Sequence, residues 1–302
     1  MLLEGSNGVR EGASVRCAWD AGCLLGEGPV WDTSGQRLWF VDLKGDALLT
    51  YDARRGGGTT PFPGNPSAVV PIQSNGDLLC VSRQGLERYS PAWRTRTLMS
   101  EIEPGLPGNR PNDGKVDRQG RFWFGTMDDT ETAFAGSLYR VEEDGRITRV
   151  LSDIGVSNGL DWSPDSSLFY YTDSLRRTIW RFAFDPVSGA VGERSIFAVL
   201  KAEEGAPDGL TVDEHGFVWS ANWDGWRITR YDPDGGIDRV IELPVPRPTS
   251  LCFGGSDLSV LYVTSARIDL SPAVLEAAPL SGALFAIDAG VSGLPSRPVV
   301  LK

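Results

Sequence analysis

A hairpin signature recurs along this chain, and a sequence that repeats at a near-constant spacing has to be read as an array of equivalent units before anything else. The copies are VWDTSGQRLWFVD, VPIQSNGDLLCVS, KVDRQGRFWFGTM, LDWSPDSSLFYYTD, LTVDEHGFVWSAN and LCFGGSDLSVLYVTS. With Trp39, Leu79, Trp123, Tyr170, Trp219 and Tyr262 as equivalent positions, the intervals are 40, 44, 47, 49 and 43 residues. That spacing suits four short strands with their turns, the content of one propeller blade.

A second signature follows each hairpin: ALLTYD, GLERYS, GSLYRV, TIWRFAFD, RITRYD and GALFAID. These are predicted third strands, with fourth strands after them such as 147–151 and 237–243. Helical periodicity is almost absent, and short runs of period two are broken by Gly, Pro, Asp and Asn. The fold class is therefore all-β: a six-bladed β-propeller, four antiparallel strands per blade, as a single domain over residues 15–302. Residues 1–14 are expected to form a flexible N-terminal tail. Residues 15–19 are expected to pair with strands from the C-terminus and close the last blade, leaving no exposed sheet edge. The repeated aromatic and leucine positions are then packing between blades.

Composition narrows the function. Lys and Arg number 29 against 40 Asp and Glu, a formal net charge of −11, which argues against nucleic acid or an anionic membrane as partner. The first residues lack a signal-peptide run, because Gly5, Asn7 and Arg10 interrupt it, and no stretch approaches the length of a membrane span. The expectation is a soluble cytoplasmic protein. Cys17, Cys23, Cys80 and Cys252 contain no CxxC pair and are expected to be ordinary, mostly buried thiols, with a Cys17–Cys23 pairing left open. A single histidine, His215, excludes a His-rich zinc site, and its place in a DEHG hairpin turn excludes a Ser-His-Asp triad.

In each blade the start of the first strand and the end of the second share one face, opposite the hairpin turns. The starts lie 11 to 13 residues before the equivalent aromatic or leucine, at Glu27, Ser67, Asn112, Asn158, Asp208 and Thr249. Two carboxylates and an amide converging on a channel are hard oxygen donors suited to a divalent cation, and Glu27, Asn158 and Asp208 form the candidate ligand set. Arg110, beside Asn112 in a Pro- and Gly-rich loop at the same mouth, is the candidate donor to an oxygen-rich ligand.

The segments GEGPVW, RPNDGKVDRQGRFWFGTM, SNGLDWSPD, APDGLTVDEHGFVWSA and CFGGSDLSVLYVTSAR resemble the family of regucalcin (SMP-30, senescence marker protein) and the bacterial sugar-acid lactonases. They lie in this order within roughly residues 20 to 290. The resemblance implies a six-bladed propeller with one divalent metal in its channel, whether Ca, Zn, Mn, Mg or Fe(II), its ligands falling on Glu27, Asn158 and Asp208. It places substrate contacts on Arg110 and Asn112, and on an acidic loop represented by Asp128, Asp129 and Glu131. The implied partner is a small-molecule sugar lactone, and the implied reaction is hydrolysis of a glucono-, xylono-, galactono- or arabinonolactone to the aldonic acid. In it Asp208 serves as ligand and base. Trp223 and Trp226 in ANWDGW are placed to line the pocket or to pack its rim. The competing readings are a non-catalytic calcium-binding propeller and a propeller esterase or organophosphate hydrolase, the latter often employing histidines near the calcium, whereas His215 lies on the opposite face. A monomer or weak homodimer is expected.

Overall fold

The computed structural model describes residues 14–73 and 76–302. The predicted tail therefore lies outside the described residues except for Ser14, as does part of the SNGD turn. Strand β1 (Val15–Trp19) precedes blade 1, which contains β2 (Gly26–Asp32), β3 (Arg37–Asp42), β4 (Ala47–Asp52) and β5 (Gly56–Pro61). Blade 2 contains β6 (Ala68–Pro71), β7 (Leu78–Ser82), β8 (Gly85–Ser90) and β9 (Thr95–Ser100). Blade 3 follows with β10 (Asn109–Val116), β11 (Phe122–Asp128), β12 (Gly136–Val141) and β13 (Ile147–Ile154), and blade 4 with β14 (Ser157–Trp162), β15 (Leu168–Asp173), β16 (Thr178–Asp185) and β17 (Ala190–Val199). Blade 5 has β18 (Ala206–Val212), β19 (Val218–Trp223), β20 (Arg227–Tyr231) and β21 (Ile237–Glu242). Blade 6 has β22 (Pro248–Gly254), β23 (Val260–Ser265) and β24 (Leu284–Asp288).

Each blade is one four-stranded antiparallel sheet, and in the sixth the outermost strand is β1, paired to β24 with Val15 opposite Ile287. The predicted six blades and their closure are thus the observed architecture.

In blades 1, 3 and 5 the first hairpin forms where an apolar run rich in β-branched and aromatic residues meets an Asp-led turn, at Asp32, Asp117 and Asp213. In blade 5, Asp213 Oδ1 accepts the amides of His215 and Phe217, closing the turn, and His215 is exposed there. The same carboxylate reaches the second strand. Its Oδ2 accepts the Trp219 indole N–H at 2.9 Å and the Arg230 guanidinium at 2.6 Å, all three being buried. Asp117 repeats the device in blade 3 with Trp123 and Arg121.

The apolar residues collect into six clusters, each joining adjacent blades, and each holds one of the repeat-equivalent residues. Trp39 packs against Val69 and Cys80 of blade 2, Trp123 against Trp162 and Phe169 of blade 4, and Tyr262 against Trp31 and Phe40 of blade 1. Every sheet therefore buries both faces, and the interior strands can be apolar throughout.

Around the axis the inner strands crowd. A Cβ at Gly159 would lie 2.3 Å from the Leu210 nitrogen, and one at Gly209 would lie 2.2 Å from Ser250 Oγ, so glycine is required where neighbouring inner strands meet. The C-terminal segment then crosses the face that carries the hairpin turns. Gly293 bridges Asp213, Val299 bridges Ile72, and the Val300 amide donates to Gly120 O, so this segment ties blades 5, 2 and 3.

Asp213→Ala should leave the Trp219 indole and the Arg230 guanidinium without their shared acceptor. The expected cost is about 3 kcal/mol, a fall in Tm on the order of 5–10 °C, with Asp213→Asn losing less. Thermal unfolding followed by circular dichroism reads this, and an unchanged Tm in Asp213→Ala would remove the carboxylate from the list of structural supports.

Candidate functional site

In five of the six blades the ladder between the first and second strands slips at the position singled out above. The register shifts lie between Glu27 and Val30, Pro111 and Gly114, Ser157 and Leu160, Pro207 and Leu210, and Pro248 and Leu251. A bulge frees residues from the ladder and re-aims their side chains. Here it brings Glu27, Asn112, Asn158 and Asp208 together at one end of the channel, in a cavity of about 170 Å³ that Arg110 and Glu131 also line. The shortest inner strand, β6, pairs without a slip.

Glu27, Asn112, Asn158 and Asp208 are all 5% exposed or less. Asp208 Oδ1 is buried without a hydrogen-bond partner, and Glu27 accepts one backbone amide, that of Gly28 at 3.2 Å. Burial pushes both carboxyls well above the usual carboxylate range. Repulsion adds to it, from Asp113 on Glu27, and from Glu27, Asp113 and Glu131 on Asp208. Asp113 is itself raised to about 6 by burial, against the pull of Lys115. Sequence reasoning passed over Asp113, although it is the neighbour of Asn112 in the same bulge.

A hydrogen-bonded arc runs beside the carboxylates. Arg110 Nη1 donates to Asn112 Oδ1 at 2.6 Å, and Asn112 Nδ2 donates to Ser157 O at 2.8 Å and to Asn158 Oδ1 at 3.2 Å. Asn158 Nδ2 donates to Ser174 Oγ at 3.0 Å, and Ser174 Oγ donates onward to Pro207 O at 2.6 Å. Because the Ser174 proton is committed to that carbonyl, the hydroxyl must accept from Asn158, which leaves the Asn158 oxygen as the acceptor for Asn112.

Glu27, Asn158 and Asp208 thus line one cavity as two carboxyl groups and one amide oxygen, with few protein donors to satisfy them. Among the described residues no group of three or more His, Cys, Asp or Glu side chains could hold a metal ion, so a site here would also need the amide oxygen. The chemistry of this set and the partnerless Asp208 Oδ1 fit a hard divalent cation.

The other expected residues separate. Asp129 stays outside the cavity wall. Its carboxylate takes Arg110 Nε at 2.5 Å and Lys44 Nζ at 3.2 Å, and Arg83 as well, so it holds Arg110 from behind. Glu131 does line the cavity, on a loop that Asp128 shapes by accepting the Thr130 and Thr132 hydroxyls and the amides of Thr132 and Ala133. Trp223 lines the wall, braced by the Arg247 guanidinium 4.6 Å from its ring, whereas Trp226 lies outside the wall and is 42% exposed. Ser67 and Thr249 spend their hydroxyls on the Pro111 and Gly26 carbonyls of neighbouring blades. The four cysteines are unpaired.

Residues 25–267 match the family model described as SMP-30/Gluconolactonase/LRE-like region. The chain belongs to this family. The pentonolactonase XacC of Haloferax volcanii is 37% identical over 281 residues, covering 91% of this chain and 94% of that protein. Regucalcin of Gallus gallus is 35% identical over 294 residues, covering 94% and 97%. The crystal structure of a calcium-binding protein, regucalcin, from Agrobacterium tumefaciens superposes with a TM-score of 0.91 at 32% identity, covering 96% of this chain and 98% of that one. Family membership agrees with the resemblance carried by the five sequence segments, and the TM-score with the six-bladed ring.

A carboxyl whose pKa is higher folded than unfolded binds its proton more tightly in the fold. Its contribution therefore turns destabilising as pH rises from the unfolded value of about 4 through the folded one. In chelated protein Asp208→Asn should melt above the parent at pH 7, with the gap closing toward pH 4. Melting curves across that range test it, and a variant less stable than the parent at pH 7 would contradict the repulsion described here.

Proposed function

We propose that this protein hydrolyses sugar-acid (aldono-) lactones, such as glucono-, xylono-, galactono- or arabinonolactone, to the aldonic acid. The observation that carries the reading is Asp208, a buried carboxylate with a free oxygen, in a small cavity that Glu27 and Arg110 also line. Membership of a family that includes a pentonolactonase supports the substrate class.

Glu27, Asn158 and Asp208 would hold one divalent cation, of which Ca, Zn, Mn, Mg and Fe(II) are the candidates. When bound it supplies Lewis-acid polarisation of the lactone carbonyl. The chain's own residues do the rest. Asp208 accepts a proton from the attacking water as the oxygen bonds to the carbonyl carbon. It returns that proton to the ring oxygen as the ester C–O bond breaks, so the product is the open hydroxy acid. Arg110 has Nε and Nη1 engaged by the protein, and its Nη2, without a partner among the described residues, is the donor offered to a substrate oxygen. Glu131 accepts from sugar hydroxyls, and Trp223 supplies an apolar face for the sugar C–H groups. Asn112 fixes both Arg110 and Asn158. Asp129 acts through Arg110 as a positioning residue and makes no sugar contact of its own.

A cytoplasmic location belongs to the same proposal, supported by four unpaired thiols. No helix among the described residues is long and apolar enough to cross a membrane. The second reading, a calcium-binding propeller without catalysis, draws on the names of the regucalcin relatives.

Two measurements decide. In a pH-stat with a panel of five- and six-membered aldonolactones, each candidate metal in turn, the expected result is metal-dependent acid release. Asp208→Ala should lower it by about 10²–10⁴-fold, and activity that survives this substitution would take Asp208 out of the mechanism. No acid release from any lactone under any metal would favour the second reading. Asp129→Asn should raise KM roughly tenfold with kcat little changed, because it loosens the arginine that orients substrate.

A further inference from the structure

The wall of the channel-mouth cavity has an outer layer that is sorted by blade. Leu25, Arg110, Val156 and Ala206 stand two positions before Glu27, Asn112, Asn158 and Asp208, one side-chain repeat outward along the same chain segments, and line the same cavity. The second strands and the turns after them add Met127, Glu131, Leu175 and Trp223. The two charged groups of this layer, Arg110 and Glu131, both belong to blade 3. Blades 4 and 5 contribute apolar side chains, Val156 and Leu175 from one, Ala206 and Trp223 from the other. At the equivalent positions of blades 2 and 6, Asn65 and Arg247 are spent elsewhere, Asn65 Nδ2 on Leu43 O at 3.1 Å and Arg247 on Asp224 at 2.6 Å and Ile268 O at 2.5 Å.

The amides of Asn112 and Asn158 and the Ser174 hydroxyl are committed to one another and to the Ser157 and Pro207 carbonyls. What the wall offers to substrate hydroxyls is therefore Arg110 Nη2 and the Glu131 carboxylate, neither with a hydrogen-bond partner among the described residues. A 1,4-lactone ring has two edges as well. One carries the hydroxyls of C2 and C3, and the other is the ring oxygen and C4 with its exocyclic tail. In the reaction proposed above, on which this inference rests, Asp208 returns its proton to the ring oxygen. That turns the C4 edge toward blade 5 and leaves the hydroxylated edge to Arg110 and Glu131. The tail then meets Ala206 and Trp223, with Val156 and Leu175 of the neighbouring blade beside them.

We infer that the preferred substrates are deoxy-aldonolactones, 1,4-lactones that keep the hydroxyls at C2 and C3 and carry at C4 a methyl group in place of a hydroxymethyl or longer polyol tail. A tail hydroxyl against this wall gives up water without gaining a protein partner, whereas a methyl group gains from the same burial. Trp223 and Leu175 are then the residues that set specificity.

Initial rates in a pH-stat for D-ribono-1,4-lactone and its 5-deoxy and 2-deoxy analogues, with each candidate metal in turn, test this, since each analogue lacks a single hydroxyl. The expected kcat/KM is about tenfold higher for the 5-deoxy lactone than for the parent lactone, and about tenfold lower for the 2-deoxy lactone. Leu175→Asn and Trp223→Gln should each narrow the 5-deoxy preference by offering the tail a polar partner. Leu175 is on the rim, 37% exposed, so its variant stays informative even if Trp223→Gln fails to fold. Equal rates with the parent and 5-deoxy lactones, a preference for the parent, or a 5-deoxy preference that Leu175→Asn leaves unchanged would each overturn the inference while lactone hydrolysis stands. Hydrolysis of no lactone at all would overturn the reading beneath it, and the inference with it.

Discussion

Pairing of the first strand with the last holds six sheets in a ring, and the channel exists because of it. β1 supplies the outermost strand of blade 6, so the two ends of the propeller are joined by ladder hydrogen bonds as well as by side-chain packing. Without that strand β24 would be an open edge, and blades 6 and 1 would lose this ladder and keep only local bonds such as the Leu25–Ala266 bridge and the Thr249 hydroxyl to Gly26 O. Closure fixes the six inner strands around one axis. It thereby brings Glu27 and Asp208 within electrostatic reach, although 181 positions separate them in the sequence (208 − 27).

The crowding that closure imposes is also what builds the site. Inner strands that meet at an axis have little room for a regular ladder with side chains on both faces. Five of the six relieve this by bulging, and glycines accept the closest approaches. The bulges turn polar side chains into the channel in place of the apolar ones that fill the interfaces between blades. Two carboxylates with almost no donors then face each other in a buried space, which costs folding free energy. Such a cost, placed where a ligand can relieve it, is the usual physical mark of a working site.

The blades were legible because both of their periods are written in the chain, alternation within strands and spacing between hairpins. The same phase located Glu27, Asn158 and Asp208, which sit at equivalent bulges. What stayed illegible depends on geometry that no period encodes. Strict alternation would send Asp113 away from the face of Asn112, and the bulge is what lets both count toward the channel. Ser174, Met127 and Leu175 enter the cavity from the ends of second strands and the turns after them, where blade length varies and no common residue type marks the position. Asp129 and Trp226 have the expected composition for substrate contacts and lie one layer out, because the direction of a loop side chain is set by its local turn. Trp226 takes a left-handed backbone conformation, with φ of 58°.

The channel is electrically polar along its length, and Lys115 marks the change. Above it, Glu27, Asp113 and Asp208 are carboxylates with few donors, so that end is short of positive charge. Below it, Asp161 and Asp117 are saturated by donors, with the Lys115 ammonium bonded to Asp161 and the Arg118 charge acting on it too, so that end is compensated from within the protein. One lysine serves both halves, bonding to Asp161 and drawing the Asp113 pKa downward from its other side. A chain with 29 Lys and Arg has cations enough for the upper end as well, and placing them there would have removed the repulsion. Carboxylates left uncompensated at one end of a buried channel, beside compensated ones at the other, are what a site for a cation at the upper end would leave.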